Sequence, residues 1–218
     1  MHISRADIDR ATDEARDPWA VSGGVLYSLC KKHPDHQDTR ASTAKMLLIG
    51  RTYAASAERG RSAGNSASLS GDAFYTKALP RALKRSRLDA LMDLVRSERY
   101  ATEENVVASL AVHSELMKVL RELTGVEKRS LASKYLHFHV PQLFFLFDSR
   151  ADATLSRISP IRKRSSSLRA LGGDLAYTRF VSCALALRGQ LEARFGVRLS
   201  PRYLDRILLT LEAARGEA

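Results

Sequence analysis

One stretch of this chain gathers residue types that could do chemistry. Residues 123–151 read LTGVEKRSLASKYLHFHVPQLFFLFDSRA. A short apolar run, Leu143 to Phe147, ends on one carboxylate, Asp148, just before Ser149 and Arg150. A carboxylate in apolar surroundings can stabilise positive charge developing nearby and orient an attacking water. The same aspartate has a plainer use. DSRADATL would start a helix well, and aspartate is a preferred N-cap. Both readings of Asp148 stay open at this stage.

Upstream of the run, the residue types suit an anion. Gly125 can end a helix in the left-handed conformation. A very short turn follows, and a new helix should begin by about Ser130. Backbone N–H groups of the turn and of the new N-terminus are expected to point outward without helical partners, which makes a phosphate site. Lys128 and Arg129 add charge there. Gly125, Val126, Lys128, Arg129, Ser130 and Arg150 are therefore the expected contacts to a nucleic-acid backbone. The basic clusters Arg162–Lys163–Arg164 and RALKRSR at 81–87 are further candidates, or else solvated faces.

The totals agree with such a partner. Thirty-five Lys plus Arg stand against 24 Asp plus Glu, leaving +11. A polyanion, and double-stranded DNA in particular, is the natural partner of this surface. The 218 residues are 44% apolar, enough for a real core and against wholesale disorder. No apolar run approaches the roughly 20 residues that span a bilayer. The expectation is a monomeric, cytoplasmic, nucleoid-associated protein that does not enter membranes. Cys30 and Cys183 sit in apolar surroundings and read as two buried thiols. No cofactor is expected. His137 and His139 are two residues apart, on different sides of a helix, and no ligand-spaced partner lies near, so no metal is expected either.

The elements that must position these groups read as helices throughout. Val106, Leu110, His113, Met117 and Leu120 step by 4, 3, 4 and 3, one helical stripe. His113 on that stripe reads as a core residue. The stretch PWAVSGGVLYSLCKKHP, residues 18–34, suggests a helix interrupted at Gly23 and Gly24 and ended before Pro34. A longer helix is expected from about residue 39 to Gly60, with Ala44, Leu47, Leu48, Ala54 and Ala55 as its apolar face. Arg51 falls in phase with that face, so it should be buried against an anionic partner or, with Tyr53, line a base pocket. His137 is a third candidate for that pocket. A Gly/Ser-rich loop covers 60–71, and Ser200 with Pro201 opens a last helix. The alternating pattern of strands is almost absent. The predicted fold is all-α, a single domain over 1–218, with two helical lobes and a binding cleft between them. A helix-hairpin-helix should lie at about 113–140, followed by the aspartate segment at 141–151.

LTGVEKRSLA resembles the LPGVGxKxA hairpin of the helix-hairpin-helix DNA glycosylases. In that family a catalytic aspartate follows an apolar, proline-bearing stretch. Here Asp148 lies 19 positions beyond Arg129 (148 − 129), with Pro141 between them. The resemblance implies an enzyme that flips a base out of duplex DNA and hydrolyses its N-glycosidic bond, with Asp148 catalytic. Thr124 and Glu127 replace the hairpin proline and second glycine. Arg129 stands where bifunctional members carry a nucleophilic lysine, and arginine cannot form a Schiff base. A monofunctional enzyme that leaves an abasic site is thus expected. Lys134 and Lys128 keep lyase chemistry open, with Lys134 ranked behind because it lies a helical turn beyond Arg129. The substrate class spans damaged bases and, by analogy with defence glycosylases, modified bases of phage DNA such as glucosylated hydroxymethylcytosine. The alternative is a non-catalytic helix-hairpin-helix nucleic-acid-binding protein.

Overall fold

The computed structural model describes residues 3–57, 71–158 and 173–216, and among these the regular structure is helical with no strand. The expected loop at 60–71 and the cluster Arg162–Lys163–Arg164 fall almost wholly outside the described residues.

The helices pack as two groups that share one core. In the first, α2 (Ala20–Lys32), α3 (Thr39–Thr52) and α7 (Val106–Thr124) pack on a central α8 (Arg129–His139), while α5 (Leu79–Arg85) packs on α3 and α7 and α6 (Leu88–Val95) packs on α7. A brief helical turn, α4 (Gly71–Ala73), runs through a π-helical turn (Phe74–Ala78) into α5. In the second group, α9 (Ser149–Ile158) packs on α10 (Leu175–Phe195) and α11 (Pro201–Gly216), and the N-terminal α1 (Arg5–Thr12) docks against α11. Helix α8 is almost wholly enclosed: every side chain from Leu131 to Phe138 is buried. The segment Leu143–Phe147 is buried, irregular backbone between α8 and α9. Tyr177 Oη donates to the Phe145 carbonyl at 2.9 Å, and Phe147 N–H donates to Ser133 Oγ at 2.9 Å. Those two bonds satisfy polar backbone that would otherwise be stranded in the core.

Local side chains set several helix ends. Ser4 and Asp7 form a capping box on α1. Asp174 caps α10 through the Ala176 and Tyr177 amides, both at 3.0 Å. The stripe Val106, Leu110, His113, Met117 and Leu120 faces the core, with His113 stacked on Tyr177 at 3.7 Å between ring centres. Burial pushes the His113 imidazole down to about 3, so it packs as a neutral ring. Both cysteines are free and buried. Among the described residues no helix is long and apolar enough to cross a membrane.

Three local expectations are corrected. Helix α2 runs unbroken through Gly23 and Gly24. Helix α3 ends at Thr52 rather than near Gly60, and Ala54 at φ 50° follows the break. The face of α3 is also rotated: Ala41, Ser42, Lys45, Met46, Ile49 and Gly50 are buried, while Leu47 and Leu48 are 42% exposed. The cause is Lys45, whose ammonium donates to the His33 and Asp35 carbonyls at 2.9 and 3.0 Å. With its donors met, a residue that reads as polar can face inward. Arg51 is consequently solvent-exposed, neither buried nor in a pocket.

The hairpin itself is present. Helix α7 stops at Gly125, φ 70°, whose N–H returns to Arg121 O at 2.8 Å, and α8 starts four residues later. A Cβ at this left-handed position is strained. Gly125→Ala should therefore cost about 1 kcal/mol. Chemical denaturation should show it as a lower midpoint with an unchanged slope.

Candidate functional site

A cleft of about 1110 Å³ opens between the two groups of helices. Its walls come from the end of α3, the hairpin turn and first turns of α8, the start of α9, and one face of α11. Arg10, Lys128, Arg129, Lys134, Arg150, Arg202 and Arg206 line it against Asp17, Glu127, Asp148 and Asp205, so cations outnumber anions on its walls.

At its base Asp148 meets Lys134. The two oxygens of Asp148 divide their work. Oδ1 accepts from the Arg150 and Ala151 amides at 2.9 and 3.3 Å, which caps α9. Oδ2 lies 3.4 Å from Lys134 Nζ. The Lys134 ammonium also donates to Ser130 Oγ at 3.0 Å and lies 5.9 Å from the centre of the Tyr53 ring. Burial pushes the Asp148 carboxyl up, but the Lys134 charge and the two capping amides outweigh it and hold the group below its ordinary value. Asp148 is therefore an ion at neutral pH, 27% exposed towards the cleft, while the Lys134 side chain is 7% exposed.

The expected hairpin contacts are more engaged than the sequence suggests. Val126 N–H donates to Thr124 Oγ1 at 3.2 Å, and Gly125 N–H is helical, so neither points free into solvent. Lys128 is buried and donates to the Ser56 carbonyl at 3.3 Å. Arg129 Nε pairs with Asp174 at 2.6 Å, and its guanidinium lies 5.3 Å from the Phe147 ring. Arg150 pairs with Glu212. What remains of the phosphate site is the first turn of α8, which has no side-chain cap. Of the two lysines, Lys134 is the one beside Asp148. Arg81, Lys84, Arg85 and Arg87 are exposed and do not line the cleft.

Tyr53 lines the cleft and also a recess of about 400 Å³ that adjoins it. His137 lies in that recess, not beside Asp148. Its Nδ1 donates to the Phe144 carbonyl at 2.9 Å, which leaves Nε2 to accept from Tyr27 Oη at 2.7 Å. Burial lowers His137 to about 3, so it is a fixed neutral acceptor. Of three other aromatic residues, Trp19 is 48% exposed at the cleft, Tyr75 is buried, and Tyr203 bonds Glu14 at 3.0 Å.

The sequence reading missed the third wall. Arg202 and Asp205 on α11 face into the cleft, as does Asp17, which receives Arg202 at 3.2 Å. Asp205 is 7% exposed and has no hydrogen bond to another described residue. Its burial raises the carboxyl to about 7, against the lowering pull of Arg202 and Lys134 and with help from Asp148 and Asp17. A carboxyl raised in the folded state holds a proton that the unfolded chain has lost, so folding grows less favourable between pH 4 and 7. Asp205→Asn should consequently raise the melting temperature at pH 8 and change it little at pH 4, as thermal scans at both values would show. Compared with protein-family models, curated proteins and solved structures, the chain finds no match.

Proposed function

We propose that this protein is a DNA glycosylase that draws a modified or damaged base into the cleft and hydrolyses its N-glycosidic bond. The observation that carries the reading is the ionised Asp148, held by Lys134 at 3.4 Å on the floor of a basic cleft beside the helix-hairpin-helix. Losing a base leaves oxocarbenium-like positive charge on the deoxyribose. A carboxylate in a site of low polarity stabilises that charge, and it can align the water that follows. The cleft's arginines and the uncapped start of α8 would hold the phosphates on either side of the extruded nucleotide. Tyr53, on the wall of the cleft, offers an aromatic face to the base. Lys134 Nζ is engaged by Asp148 and by Ser130 Oγ, which suits a monofunctional reaction.

One observation favours a second reading. Asp148 is a well-formed N-cap, so a DNA-binding protein without activity would also keep it. The test is a panel of duplexes carrying oxidised, alkylated, deaminated, mismatched and glucosylated-hydroxymethyl bases, each treated with alkali after incubation to cut abasic sites. Strand cleavage with at least one of them supports the enzyme. Tight binding with no cleavage on any of them selects the second reading.

A further inference from the structure

Asp205 is a carboxyl group that neither the fold nor the hairpin needs. It sits on α11, 7% exposed, on the wall of the same cleft as Asp148, and no described residue bonds it. A buried carboxylate without a partner is costly, and one that persists on a cleft wall points to a ligand. The charged groups around it come from four elements: Arg202 on α11, Lys134 on α8, Asp148 ahead of α9 and Asp17 ahead of α2. Two of them attract its anion and two repel it, and burial outweighs the attraction in setting its state.

We propose that Asp205 is the proton donor to the departing base, the partner of Asp148 in a two-carboxyl division of labour. This rests on the glycosylase reading and adds to it a preference for substrates whose neutral bases leave poorly unless protonated. In the step, the bond between C1′ and the base nitrogen breaks and its electron pair stays with the base. The Asp205 O–H proton passes to an acceptor atom of that base, which leaves neutral. Water bonds to C1′ and gives one proton to Asp148. Asp148 releases that proton to solvent, and solvent reprotonates Asp205. The protonation states fit the roles: burial lifts Asp205 to about 7, while Lys134 and the capping amides keep Asp148 ionised.

The experiment measures single-turnover base release from pH 5 to 9 on two kinds of leaving group. 8-Oxoguanine, uracil and glucosylated hydroxymethylcytosine are neutral. 7-Methylguanine and 3-methyladenine carry a positive charge and leave without an acid. On a neutral base the wild-type rate should fall above pH 7, and Asp205→Asn should remove that limb. The variant should also lose at least 20-fold more rate on neutral than on cationic bases. Asp205→Glu should recover part of that loss. The pH limb of the wild type keeps the proposal testable even if a variant folds poorly. Equal losses on both kinds of base, a limb unchanged in Asp205→Asn, or wild-type release of cationic bases alone would overturn the acid role and leave the glycosylase reading standing. Release of no base from any duplex would overturn that reading as well.

Discussion

Asp148→Asn is expected to slow base release by roughly 10³-fold while duplex affinity stays within a few-fold. The substitution is informative because the two oxygens of Asp148 have separate duties. An asparagine Oδ1 can still accept from the Arg150 and Ala151 amides, and asparagine caps helices as well as aspartate does. The helix start and the local backbone are therefore retained. What is lost is the negative charge facing the cleft at the Lys134 side. Gel-shift affinity and single-turnover cleavage, measured on one duplex, separate the two effects. A variant that cleaves as fast as the wild type would show that Asp148 is only a cap.

Lys134→Met should be the most damaging single change to both folding and rate. Its ammonium helps to hold Asp148 ionised, and without it only the two capping amides oppose the desolvation, so the carboxyl rises. Removing one partner of a fully buried pair costs roughly 3–5 kcal/mol. Asp148 keeps some solvent contact, which brings the expected loss down to about 2 kcal/mol. The pair's contribution is present above the ordinary carboxylate value and fades as pH falls through the depressed one, so wild type and variant should converge in acid. Urea titrations at pH 7 and pH 3 would measure this. In a double-mutant cycle with Asp148→Asn, the two stability losses should fall short of additive, because the second change removes the charge the first left unpaired. Additive losses would mean that the two groups do not interact.

The helical part of the fold was legible because it is written locally. The 4-3-4-3 stripe of α7, the Ser4–Asp7 box and the Asp174 cap each depend on residues within a few turns. The phase of α3 was not, because it turns on whether one lysine finds acceptors, and those are carbonyls at His33 and Asp35. The candidate site divides the same way. Asp148, Lys134 and the hairpin lie within one short stretch and could be singled out together. Arg202 and Asp205 are three residues apart on an amphipathic helix, a spacing that reads as an ordinary surface ion pair. Nothing near them in sequence says that α11 turns this face to a cleft whose floor lies more than fifty residues upstream. Arg129 illustrates the same limit: it pairs with Asp174, 45 positions on, and no local pattern announces that bond.

The docking of α1 on α11 also sets a schedule. Arg206 donates to the carbonyls of Arg10 and Asp13, separations of 196 and 193 residues, and Arg202 reaches back to Asp17. During synthesis on the ribosome, α1 must wait for a partner made almost two hundred codons later. Until α11 emerges, Asp148 and Lys134 have no opposing wall, and Asp205 does not yet exist. The cleft is thus completed in one late event, when its last wall arrives.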